Sequence, residues 1–122
     1  MKQLNDKELL QLIKTDVKGF NAYREEYPNQ KINFSGANLY KAYLDGANLE
    51  GANLYKANLR WAYLRRANLV DANLTDANLT VANLVDANLT DANLTVINLS
   101  NASITLTKDN LEAIKGCRLC IN

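Results

Sequence analysis

The chain has 122 residues, the length of one domain, and 14 Lys and Arg against 13 Asp and Glu leave a net charge of +1. That balance gives no global electrostatic case for nucleic acid, and no apolar run approaches membrane-spanning length. Histidine is absent from the sequence, which removes the commonest metal ligand and the commonest general acid–base.

Residues 1–31 read as helical. Met1-Lys2-Gln3-Leu4-Asn5-Asp6 lacks the apolar segment of a signal peptide, so a cytoplasmic protein is expected. Asn5 is placed to cap a helix, Glu8 stands at its third position, and Leu4 can staple onto Leu9. Leu9, Leu10, Ile13, Val17 and Phe20 follow at helical spacing. Thr15-Asp16 offers a second cap, so two short helices are predicted, over Asp6–Lys14 and Asp16–Glu26, ending before Pro28.

From Ile32 to Leu106 a five-residue unit, Ala-Asn-Leu followed by two variable positions, runs without a gap. Clear copies are Ala37-Asn38-Leu39, Ala52-Asn53-Leu54, Ala72-Asn73-Leu74 and Ala92-Asn93-Leu94. Leucine occupies every fifth position from Leu39 to Leu99, with Phe34 before the series and Ile104 after it; Ile32 and Ile97 replace the alanine. A period of five fits neither an amphipathic helix nor a long strand. Within a unit, however, Ala and Leu are two apart, which places both on one face of an extended segment. Short extended pieces joined by a sharp turn in every unit satisfy both facts.

This stretch resembles the pentapeptide-repeat family, whose pattern is Ala-(Asn/Asp)-Leu-x-x. The resemblance implies an all-β solenoid, a right-handed quadrilateral β-helix with four units, hence 20 residues, per coil. On that plan residues 32–106 make about four coils, a rod roughly 18 Å tall at the usual strand spacing. Ala and Leu point inward, and Asn and the two variable residues outward. Phe20-Asn21-Ala22-Tyr23-Arg24 is similar to an aromatic-Asn-x-aromatic-Arg segment that precedes the repeats in many members, although it lacks tryptophan. Residues 1–31 are accordingly expected to cap one end of the rod and 107–122 the other, covering edges that would otherwise recruit another chain. Two capped ends imply a monomer. The family's abundance in cyanobacteria suggests a source of that kind.

With residue i over i+20, the outward asparagines form columns such as Asn33, Asn53, Asn73 and Asn93, expected to hydrogen-bond as amide ladders. Asp45 falls against Arg65, Lys56 against Asp76 and Arg66 against Asp86, while Asp71 meets Asp91. Tyr43 and Tyr63 replace outward asparagines and should stack. Tyr40 over Arg60 and Lys41 over Trp61 allow cation–π contact. Tyr40, Lys41, Tyr43, Arg60, Trp61, Tyr63, Arg65 and Arg66 thus form a basic, aromatic surface, which reads either as an interface or as stacking that only stabilises neighbouring strands. Residues 32–66 hold five bases and two acids, net +3; residues 67–106 hold four aspartates and no base, net −4. Residues 67–81 and 82–96 are identical. Fifteen residues are three units, so the copy is turned by three-quarters of a coil, and a binding site would not survive that rotation.

Beyond the repeats, Thr107 can cap a short helix in which Leu111 and Ile114 share a face and Gly116 is the stop. Cys117 and Cys120 form a CxxC. A thioredoxin-like role would want a βαβ setting and a metal site two more ligands, so a local disulfide or two free thiols is expected. No nucleophile–base pair, metal set or phosphate loop is visible. The expectation is a non-catalytic, cofactor-free protein-binding scaffold with an unidentified protein partner and neither nucleic acid nor membrane as target. The alternatives are a DNA-mimicking inhibitor of gyrase, an activity the resemblance brings, and a regulator in a cyanobacterial signalling pathway.

Overall fold

The computed structural model describes residues 2–115 and residue 117. Helix α1 spans Asp6–Thr15 and α2 spans Val17–Glu26. The capping box forms as the sequence indicates: Asn5 Oδ1 accepts the Glu8 N–H at 2.8 Å, and Glu8 Oε1 accepts the Asn5 N–H at 3.1 Å. That backbone hydrogen bond from Asn5 is the main reason the Glu8 carboxyl ionises below its ordinary value. Asp16 caps α2 through the Gly19 N–H at 2.9 Å. A Cβ at Gly19 would push the capping Asp16 carboxylate aside.

The repeat segment coils with a period of 20 residues. Two-residue strands β1, Asn83–Leu84, and β2, Ser103–Ile104, pair in parallel with Asn83 against Ser103. The same spacing recurs in parallel bridges from Asn33–Asn53 to Asn78–Asn98. Five-residue units and a 20-residue period put four units in each turn of the coil. Every unit closes with a turn: the Ala42 N–H donates to the Leu39 carbonyl at 3.1 Å, and the pattern repeats up the rod. The residue before each alanine takes positive φ, as a type II turn requires. Glycine fills this place at Gly36, Gly46 and Gly51, but Lys41, Lys56, Trp61, Arg66, Asp71 and Val96 also adopt it, at φ near +60°.

The interior follows the inward pattern. Leucines from Leu39 to Leu84 are fully buried, with the alanines from Ala47 to Ala87 beside them. Each leucine so buried contributes roughly 1.5–3 kcal/mol. Ile97, the large residue at an alanine place, is buried, and Cys117 Sγ lies 3.7 Å from its carbonyl oxygen. Towards the C-terminus Leu99 and Ile104 are only partly buried.

The asparagines work differently from the expected ladders. Among the described residues only Asn53 reaches down its column, donating Nδ2–H to Asn33 Oδ1 at 3.3 Å. In every column, that of Asn53 included, the amide oxygen accepts the N–H two residues ahead: Asn38 from Tyr40, Asn58 from Arg60, Asn73 from Thr75, Asn98 from Ser100, all at 3.0–3.1 Å. A local partner costs less order than one 20 residues away, so the side chain completes an Asx turn. Nor do the stacked opposite charges form ion pairs among the described residues. Asp45 Oδ1 instead accepts the Arg65 backbone N–H at 2.9 Å. An exposed pair gains too little in high dielectric to hold two long side chains in place.

Each helical segment sets one asparagine against the repeat, among other contacts. From α2, Asn21 accepts the Asn48 N–H at 2.8 Å and donates to the Gly46 carbonyl at 3.0 Å. Phe20 packs on Phe34 with ring centroids 6.0 Å apart, and the Arg24 guanidinium donates to the Glu50 carbonyl. Beyond the repeats, α3 spans Lys108–Lys115. Its Asn110, 1% exposed, accepts the Leu89 N–H at 2.8 Å and donates to the Ala87 and Thr105 carbonyls, each at 2.9 Å. Thr107 caps α3, as expected, by accepting the Asn110 N–H. The buried face is Asn110 with Ile114, however, and Leu111 is exposed.

Candidate functional site

The aromatic, basic surface is assembled by the 20-residue period. Tyr43 and Tyr63 pair through the backbone, and their rings lie 4.9 Å apart at 8°, fully stacked. Ring spacing thus equals strand spacing, so the scaffold sets the stack. Tyr63 is 41% exposed and Tyr43 73%; Tyr63 stands between Tyr43 and Asn83 in its column, whereas among the described residues Tyr43 has a column neighbour on one side alone. Trp61 stands at a corner, 47% exposed at φ +60°, and Tyr40 is also exposed.

The cation–π contacts differ from the expected ones. Lys41 Nζ lies 5.2 Å from the ring centroid of Tyr40, and Lys56 Nζ lies 5.3 Å from that of Tyr55. Neither Tyr40 with Arg60 nor Lys41 with Trp61 makes one. The corner residue's positive φ turns its side chain back over the residue just before it, which brings the adjacent ring within reach. Lys41, Arg60, Arg65 and Arg66 are exposed. Arg65 and Arg66, with Asp45 and Gly46, line an open cleft of about 340 Å³. Asp45 accepts the Arg65 N–H there, and the cleft sets two guanidinium groups against one carboxylate. All eight residues named from the sequence lie on the first two turns of the coil.

At the other end Thr90, Asp91, Thr95, Asp109 and Glu112 line a cleft of about 580 Å³ beneath α3. It is acidic, and among the described residues no group of three or more Cys, Asp or Glu is disposed to hold a metal ion. Cys120 lies outside the described residues, and with it the expected pairing to Cys117. No described helix is long and apolar enough to cross a membrane. Asn110 is a contributor that sequence reasoning missed; Asn21 stands in the segment singled out ahead of the repeats, but its bonds to the coil were not foreseen. The signal available was a helix-borne asparagine flanked by buried apolar residues, Phe20 with Tyr23 in one case and Ile114 in the other.

Comparison with known proteins agrees with this geometry. The family model described as pentapeptide repeats matches residues 32–69, 57–95 and 67–105. Among solved structures the chain is similar to HetL, a pentapeptide repeat protein involved in heterocyst differentiation regulation from the cyanobacterium Nostoc sp. strain PCC 7120. The likeness is 34% identity over 73% of this chain and 37% of HetL, with a TM-score of 0.61. It is also similar to Rfr23, a pentapeptide repeat protein from the cyanobacterium Cyanothece 51142, at 34% identity over 73% of this chain and 56% of that one, with a TM-score of 0.49. The chain therefore spans well under two thirds of either relative. No curated protein matches it. The chain belongs to the pentapeptide-repeat family, whose members fold as right-handed quadrilateral β-helices and are in general non-enzymatic structural or interaction proteins.

Proposed function

We propose that this protein is a non-catalytic binding scaffold that holds a protein partner on Tyr40, Lys41, Tyr43, Arg60, Trp61, Tyr63, Arg65 and Arg66. The observation that carries the reading is Trp61, half-exposed at a corner with φ +60°. A bulky side chain in the left-handed region is strained by about 1–3 kcal/mol, and nearly half of the Trp61 surface stays in water. Exposed aromatics flanked by arginine are the usual anchors of interfaces. On this reading residues 32–106 form about four coils, α1 with α2 caps one end, α3 caps the other, and the protein acts as a cytoplasmic monomer without a cofactor.

The likeness to HetL favours a second reading, a regulator in a cyanobacterial signalling pathway, which would use the same surface. Gyrase inhibition by DNA mimicry fits less well, because the first two coils are basic, net +3. Affinity capture from a cyanobacterial lysate tests the proposal. Tyr43→Ala with Trp61→Ala should abolish capture of a defined partner without lowering the Tm. Lost stability with unchanged capture would make the stack purely structural. Inhibition of gyrase supercoiling at micromolar protein would favour the DNA mimic instead.

A further inference from the structure

The helices at the N-terminal end cover only part of the first coil's edge. Asn33 N–H finds Asp6 Oδ1 at 3.3 Å, Asn48 N–H finds Asn21, and the Glu50 carbonyl finds Arg24. The stretch between them differs. One coil higher, the Asn58 and Tyr63 N–H groups donate to the Ala37 and Ala42 carbonyls at 2.9 Å. There too the Asn58, Arg60, Tyr63 and Arg65 carbonyls accept from Leu39, Lys41, Leu44 and Gly46 at 2.7–3.0 Å. The equivalent groups 20 residues earlier, the N–H of Asn38 and Tyr43 and the carbonyls of Asn38, Tyr40, Tyr43 and Asp45, have no protein partner among the described residues. This open edge is continuous with the aromatic surface, and the ring face of Tyr43 turned away from Tyr63 lies on it.

We infer that the edge at Tyr43 binds an extended, acidic segment of another protein by strand addition. The inference rests on the scaffold reading above and specifies its chemistry. In the register that joins Tyr43 to Tyr63, a parallel segment makes four backbone hydrogen bonds: one accepted from the Tyr43 N–H and three donated, to the Tyr40, Tyr43 and Asp45 carbonyls. Its outward residue opposite Tyr43 stacks on that ring face and is aromatic. The residue two places earlier falls against Lys41 and is a carboxylate, favoured also by Arg60, Arg65 and Arg66 one coil away. The residue between them points to the interior beneath Ala42 and is small. The backbone supplies affinity and the alternate side chains supply selectivity, as in other edge additions.

The probe is acetyl-Glu-Glu-Ala-Tyr-Ala-Ser-Gly-amide, titrated into 15N-labelled protein. Before addition, the Tyr43 and Asn38 amides should exchange with solvent at least about tenfold faster than those of Tyr63 and Asn58; equal protection overturns the open edge. On addition, the Tyr43 and Lys41 amides should shift and saturate below about 1 mM. Methylating the peptide nitrogen just after its tyrosine should weaken binding about tenfold, the loss of one hydrogen bond, without any risk to the protein's fold. Absence of saturable shifts, or indifference to the methyl group, overturns the inference. Shifts confined to Trp61 and the Tyr63 ring would overturn edge addition while leaving the aromatic surface as a binding site. A concentration-dependent dimer that protects the Tyr43 amide without peptide would overturn it in favour of a second copy of this chain.

Discussion

Residues 32–66 and residues 67–106 share one backbone and differ in what stands at its corners. In the second stretch four of seven corners are aspartate, at 71, 76, 86 and 91, and Asn101 is a fifth such residue. Asp and Asn enter the left-handed region more readily than other side chains, so the acidity of this half follows from the turn and needs no ligand. Val81 and Val96 are the poor choices, and the 15-residue duplication makes them a single one. The first stretch solves the same problem with three glycines and then departs from it at Lys41, Lys56, Trp61 and Arg66. Two of these lysines recover something by lying over neighbouring tyrosine rings. Trp61 and Arg66 recover nothing of that kind. Identical geometry with different residues therefore separates scaffold from surface more sharply than charge alone.

The largest test of the comparison concerns what the halves share. Leu69, fully buried at their junction, should not tolerate Leu69→Asp: an unpaired carboxylate in the bore costs more than a domain of this size holds in reserve, and circular dichroism should show an unfolded chain. Thr75→Asp, at an outward place, should change stability by less than about 1 kcal/mol. Equal effects would contradict the inward and outward assignment.

The two ends give an intermediate test. Asn110→Ala leaves the Leu89 N–H and the Ala87 and Thr105 carbonyls without their partner in a buried site, so a loss of about 2–4 kcal/mol is expected in urea unfolding. Asn21→Ala, in a more solvated position, should cost about 1 kcal/mol. The reverse order would mean that the N-terminal helices, not α3, hold the more demanding end.

The smallest effect is the most discriminating. Val96→Gly should raise stability by about 1 kcal/mol, because glycine takes positive φ without strain and Val96 is exposed. Trp61→Gly should also raise the Tm, yet abolish partner capture. If Trp61→Gly instead lowers the Tm as Leu-to-Ala core changes do, the aromatic surface is structural and the contrast between the halves disappears.

What was legible in the sequence follows from periodicity. Spacing of five with Ala and Leu two apart revealed the inward face, and spacing of 20 between Tyr43 and Tyr63 revealed their stack. Both are consequences of a lattice that every unit reports. The misread features are choices between partners of unequal distance. Asn38 and its counterparts bond two residues ahead rather than 20 away, and Asp45 takes a backbone N–H rather than a guanidinium. Sequence stacking names the neighbours without ranking them. The roles of Asn21, whose segment was singled out, and of Asn110, which was not, were hidden for a different reason: each lies in a helix where asparagine reads as a polar face, and only docking on the coil turns its amide into a substitute for a strand.

The 20-residue period persists through the duplicated block, as Tyr63 pairs with Asn83 and Asn83 with Ser103. Sequence length and azimuth are therefore geared to each other. Inserting or deleting one unit lengthens or shortens the rod by only about 1.2 Å, a quarter of a strand spacing, but swings everything beyond it by a quarter turn. The 15-residue duplication moved α3 and its acidic cleft three-quarters of the way around relative to Tyr43 while adding less than one coil of height. Evolution of such a rod can thus re-aim one end against the other in right-angle steps, and the bearing between the basic surface and the far helix is set by counting units.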